Sequence, residues 1–120
     1  MRTIQLYATG SASGNAVAQI TIPSATRLKA VKIMLTVDSV TDNSQVRLEF
    51  SKIPTSQIAT NGAQDPFLTV GMFINGTQVA PNGINEFVPL DIPCRQGEII
   101  YVHATVAGTA TYFVNAIFDY

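Results

Sequence analysis

The chain has 120 residues, close to the commonest size of a single domain, with 8 acidic residues, 7 basic residues and one histidine for a net charge of −1. A chain of this length can bury a core without disulfides or metals, and the lack of a basic excess argues against binding to nucleic-acid phosphates. Charged residues make up 12% of the chain, against about 25% in an average soluble domain, so part of the surface is expected to be hidden against copies of itself or a partner.

Taken in chain order, apolar and polar residues alternate with period two almost everywhere, the pattern of half-buried strands. The start alternates at once and carries no apolar h-region, so no secretory signal is expected in this chain. Ile4, Leu6 and Ala8 point one way and Thr3, Gln5, Tyr7 and Thr9 the other. A Gly/Ser-rich turn from Gly10 to Asn15 follows, and then a strand with Ala18, Ile20 and Ile22 on one face, ended by Pro23. The longest strand runs from about Leu28 to Val37 with Val31, Ile33, Leu35 and Val37 inward. Arg27, Lys29 and Lys32 at its start read as solvated strand-edge charges.

Asp38 to Ser44 is a polar turn, after which Val46, Leu48 and Phe50 alternate with Arg47, Glu49 and Ser51. These two strands read as a hairpin with one shared buried face. Pro54 to Pro66 is the long irregular connection. Leu68, Val70, Met72 and Ile74 form the next inward set, with hairpin signals at Asn75-Gly76 and Asn82-Gly83. Val88, Leu90 and Ile92 alternate with Pro89 and Asp91, and the prolines place this strand at a sheet edge. After the turn Arg95-Gln96-Gly97 come two last strands, Glu98 to Val106 and Ala110 to Tyr120, joined at Gly108.

About eight strands with turn signals roughly every ten residues, and no helix long enough for a parallel crossover, predict a single all-β domain over residues 1–120. The expected architecture is an antiparallel β-sandwich, jelly-roll-like. An immunoglobulin-like topology is the alternative, without its paired cysteines or tryptophan. No apolar run is long enough to span a bilayer as a helix.

The residues offer little to catalysis. His103 is the only histidine and Cys94 the only cysteine, so a dyad with Asp91 as orienting acid is the one nucleophilic arrangement on offer, and a packed cysteine and a satisfied strand histidine explain the same residues. Zinc lacks a ligand set. Asp38, Asp42 and Asn43 share a turn that could supply oxygen ligands to calcium, but the spacing is not that of an EF-hand and turn formation accounts for them. Glu49, Glu86 and Glu98 are scattered one per segment on expected solvent faces or turns, unlike a glycosidase pair. Asn75-Gly76-Thr77 matches a glycosylation acceptor, though the hairpin turn explains it equally. No cofactor and no catalytic or metal residue is assigned, and the chain is expected not to be an enzyme.

The last two strands stand out because both faces of each are apolar. Ile99 and Tyr101 oppose Ile100 and Val102, and Phe113 and Ile117 oppose Tyr112, Val114, Ala116 and Phe118. A two-layer sandwich buries one face of each sheet, so Ile99, Tyr101, Phe113 and Ile117 are the expected subunit interface, in a closed ring of identical copies such as a trimer. In its charge-poor Thr/Ala/Val/Asn alternation, and in the closing pattern Val88-Pro89-Leu90-Asp91-Ile92-Pro93 to Gly97-Glu98-Ile99-Ile100-Tyr101-Val102, the chain resembles the small β-sandwich structural proteins of bacteriophage virions, including capsid decoration or cement proteins. The resemblance implies a non-enzymatic virion component that contacts copies of itself and other virion proteins, and it transfers no functional residue. The alternative is a carbohydrate- or receptor-binding module whose loops Gly10 to Asn15, Asp38 to Ser44 and Pro54 to Pro66 form the recognition end, with Tyr7, Tyr101, Tyr112 and Tyr120 as candidate aromatic platforms.

Overall fold

The computed structural model describes residues 2–39, 44–53, 66–74, 78–83 and 86–120. Within them lie nine strands: β1 (Thr3–Gly10), β2 (Gly14–Thr21), β3 (Thr26–Ser39), β4 (Ser44–Ser51), β5 (Leu68–Ile74), β6 (Gln78–Gly83), β7 (Val88–Cys94), β8 (Ile99–Ala107) and β9 (Ala110–Asp119). No helix among the described residues is long and apolar enough to cross a membrane.

The strands form two antiparallel sheets. The first runs β1-β9-β3-β6, with β7 also pairing β3, and the second runs β2-β8-β4-β5. β7 takes Thr26 to Val31 of β3 and β6 takes Met34 to Ser39, so the two short strands act as one interrupted edge. Counted that way there are eight strands, and the chain passes repeatedly from one sheet to the other as in a jelly roll. The prolines of β7 do mark an edge, since β3 is its sheet neighbour and Pro89 and Pro93 cannot donate to a further strand.

The inner faces follow the alternation. Leu6 and Ala8 of β1, Val31, Ile33, Leu35 and Val37 of β3, and Tyr112, Val114, Ala116 and Phe118 of β9 line one layer. They meet Val46, Leu48 and Phe50 of β4 and Ile100, Val102 and Ala104 of β8 from the other. Phe50 and Phe118 touch across the layers, ring centroids 6.0 Å apart. Each such side chain contributes about 1.5–3 kcal/mol by leaving water.

Two local expectations need correction. β3 and β4 are not a hairpin, because β3 belongs to the first sheet and β4 to the second; shared parity reports a shared core, and both sheets have the same core. Asn82-Gly83 is not a turn. Both residues belong to β6 and pair with Leu35 and Met34, so ladder hydrogen bonding outweighs their turn preference. At the start of β3 the strand has a partner on one side only, since Thr26 to Leu28 pair with β7 and the β9 ladder begins at Ala30; Arg27 is paired with Asp91 of β7. The Asn75-Gly76 signal lies outside the described residues, and β5 and β6 sit in different sheets.

Two corners depend on glycines with positive φ, Gly97 before β8 (84°) and Gly108 between β8 and β9 (79°). A Cβ on Gly97 would meet open space, whereas one on Gly108 would lie 2.8 Å from Ser44 Oγ and 3.0 Å from Ser44 Cα. Gly97→Ala therefore carries only the backbone cost, about 1–2 kcal/mol, and Gly108→Ala adds a clash with a buried backbone. Thermal melts of the two variants should show the larger loss for Gly108→Ala.

Candidate interaction surfaces

The outer faces of the two sheets differ in kind. On the first sheet, register aligns Tyr7, Asn115 and Met34 in one row across β1, β9 and β3, with Thr9, Phe113 and Thr36 on one side and Gln5, Ile117 and Lys32 on the other. Tyr7, Met34 and Phe113 are 51%, 52% and 45% exposed. Tyr7 and Phe113 stand edge to face at 4.8 Å, an arrangement that fixes both rings without removing them from solvent. Beside them the Gln5 amide Nε2 donates to Asn115 Oδ1 at 2.8 Å. This is a firm apolar platform with a polar amide pair beside it.

The second sheet turns buried polar groups outward. His103 is 3% exposed and Glu49, its register partner on β4, is 8% exposed. Arg47 Nε lies 3.2 Å from Glu49 Oε1, and Tyr101 stacks near the His103 ring. Glu49 and Ser51 are thus buried, contrary to the solvent face expected for them. The role of His103 follows from a fault in β2. The β2–β8 register shifts between Gly14 and Ala18, and Ala16 adopts φ 50°, which takes its N–H out of the ladder. That N–H donates to His103 Nδ1 at 3.0 Å, so the ring proton sits on Nε2, 3.1 Å from the Ile53 carbonyl oxygen that accepts it.

The expected interface residues are not brought onto one surface. The corner at Gly108 carries the chain between sheets, so Phe113 and Ile117 lie on the outer face of the first sheet, and Ile99 and Tyr101, both half-buried, lie on that of the second. Tyr7 and Met34 complete the exposed patch. Their outward positions are legible from alternation, but nothing local tells that β1 and β3 flank β9. Of the candidate aromatic platforms, Tyr112 is buried in the core, and burial pushes its hydroxyl pKa up.

Cys94, His103 and Asp91 are engaged separately. Cys94 is buried, its Sγ is 3.7 Å from the Ile92 carbonyl oxygen, and burial raises its pKa, the opposite of thiolate activation. Asp91 pairs with Arg27. Among the described residues no group of three or more His, Cys, Asp or Glu side chains is placed to hold a metal. Asp42 and Asn43 of the candidate calcium turn lie outside the described residues, as do positions 54–65 of the long connection and the 75–77 acceptor pattern.

A shallow cleft of about 450 Å³ beside Cys94 is lined by Lys52, Pro93, Arg95 and Glu98. Glu98 accepts the Arg95 N–H at 2.7 Å and sits 3.3 Å from Lys52 Nζ, which also donates to the Pro93 carbonyl. The Arg95 N–H first, and Lys52 with it, hold the Glu98 carboxyl below its ordinary value of 4.5. The cleft is bordered by a corner clamp: Lys52 after β4 is tied to the turn between β7 and β8.

Two outcomes are expected. Replacing His103 by Leu strands the Ala16 N–H and the Ile53 carbonyl and should cost about 1–3 kcal/mol in denaturant unfolding, with a smaller loss for His103→Gln. The stabilisation from Glu98 is complete above about pH 4.5 and is lost as pH falls through its lowered folded pKa. Melting-temperature differences between wild type and Glu98→Gln should thus be constant near neutral pH and shrink below that point.

No protein-family model matches the chain, and no curated protein matches it.

Proposed function

We propose that this chain is a non-enzymatic structural protein that acts by self-association, as a component of a virion that binds copies of itself and other virion proteins. The observation that carries the self-association is the outer face of the first sheet, where Tyr7, Met34 and Phe113 lie together and exposed. Large apolar side chains clustered on one sheet face suit a subunit contact better than a solvated face. The scarcity of charge supports the same reading. The virion setting is supported by analogy with the jelly rolls of capsid proteins, a fold that also serves lectins.

That second use of the fold gives the competing reading, a glycan-binding module. The feature in its favour is the Gln5–Asn115 amide pair next to the Tyr7 ring, since sugars are bound by an aromatic face with amides beside it. A glycan array with competition separates the two: a specific, competable hit supports the module.

Self-association is tested by a matched pair of substitutions read by light scattering and circular dichroism. Ile33→Glu buries an unpaired charge in the core and should abolish folding. Phe113→Glu should leave a folded chain of lower mass than wild type. An unfolded Phe113→Glu chain, or one of unchanged mass, overturns the assignment of that face.

A further inference from the structure

The four sheet edges are not equally protected. β7 carries Pro89 and Pro93 and an ion pair with Arg27, and β6 carries Pro81. β2 is bent by its bulge at Ala16. β5, also without charge or proline, pairs β4 from Leu68 to Ile74 without a register shift, but it carries at its middle a glycine, Gly71, which weakens a strand and has further contacts of its own. β1 has none of these devices. Its eight residues, TIQLYATG, contain no charge and no proline, and its ladder with β9 runs from Thr3 to Gly10 without a register shift. Proteins that keep a sheet edge solvated blunt it with charge, proline or a bulge.

The hydrogen-bond phase of that edge is determined by one bond at its start. The Tyr120 N–H donates to the Arg2 carbonyl at 2.9 Å, making Arg2 and Tyr120 a hydrogen-bonded pair of the antiparallel ladder. Such pairs recur at every second residue, so Ile4, Leu6, Ala8 and Gly10 bond to β9. Thr3, Gln5, Tyr7 and Thr9 consequently aim their N–H and C=O groups at the open edge, and their side chains are the exposed ones.

Resting on the self-association reading above, we propose that β1 pairs antiparallel with β1 of a second copy about a twofold axis through Leu6. Thr3 then faces the partner's Thr9 and Gln5 faces the partner's Tyr7. This is the register in which all four outward residues of both strands exchange bonds, about eight in all. Directly opposed residues point to the same face, so the two outer platforms join into one strip and the two Leu6 side chains meet beneath it. Charge permits the approach: β1 has none, and Asp119, in the Thr3 row, is carried toward the partner's Thr9 and Phe113 rather than toward a like charge. Arg2 at the strand's start lies over the Tyr120 ring, 4.8 Å from its centroid, within its own copy. A strand paired with its own copy generates a twofold axis, whereas a ring of three needs two different surfaces. Pairing of a single eight-residue edge is a small interface, so the dimer should be concentration-dependent.

Sedimentation equilibrium of the full chain over a range of concentrations, with circular dichroism of every variant, tests this. Gln5→Pro removes an N–H that points outward and so spares the β9 ladder; it should stay folded and lose most of the association. Two double variants then test the register. Thr3→Lys with Thr9→Lys sets like charges opposite each other twice, and Thr3→Glu with Thr9→Lys sets opposite charges there. The second should associate about tenfold more tightly than the first at low salt, and the gap should narrow at high salt. Equal association of the two double variants, or a folded Gln5→Pro chain of unchanged mass, overturns the β1 pairing and leaves self-association through another surface standing. Should Gln5→Pro fail to fold, the double variants decide alone. A wild type that is monomeric at every concentration removes both the pairing and the self-association reading.

Discussion

β9 is paired along its length on both sides, to β1 and to β3, and the first sheet depends on that double ladder. Its inward residues Tyr112, Val114, Ala116 and Phe118 form the middle of one core wall, and its outward residues Phe113, Asn115 and Ile117 form the middle of the exposed platform. The same register therefore sets the core and the candidate contact surface together. A slip by one residue would exchange them, carrying Phe113 inward and Val114 out. The precision has an entropic cost, since β1 and β9 come from opposite ends of the sequence and must close a loop of nearly the whole chain.

The two outer faces accommodate low charge in different ways. The second sheet holds Glu49 and His103 buried on its outer side, where Arg47 lies beside Glu49 and His103 serves two backbone groups. A buried polar group of this kind is costly to leave without its partner. The first sheet leaves Tyr7, Phe113 and Met34 largely in water, the two rings in contact with each other. The cluster of Tyr7, Met34 and Phe113 is therefore on the first sheet.

The strand content and nearly all of the core were legible, because period-two alternation reports which side of a strand is buried whatever the partner. Val46, Leu48 and Phe50 show this, as do Ile100 and Val102. Partnership was not legible. The hairpin expected of β3 and β4 failed because both strands face one core from opposite layers, and Asn82-Gly83 failed because the β3 ladder holds residues that prefer turns. Of the candidate surface, Phe113 and Ile117 were found from an apolar second face, whereas Ile99 and Tyr101 were grouped with them only because sequence does not show the change of sheet at Gly108. Tyr7 and Met34 were missed as neighbours of Phe113, since their proximity exists only through registers spanning much of the chain. His103 is the satisfied strand histidine that the sequence offered as one reading, but its partner, the displaced Ala16 amide, was not legible.

The bond from Tyr120 to Arg2 has a consequence for the connectivity of the chain. Those two residues are a hydrogen-bonded pair of neighbouring antiparallel strands, which is the geometry that a two-residue type I′ turn spans. Asn-Gly placed between them would make β9 and β1 a hairpin, and the chain could be opened instead at a surface connection elsewhere. The slowest contact to find, between the most distant strands, would become the most local one. A circular permutant of this kind would keep every core neighbour while removing the longest loop closure from the folding reaction.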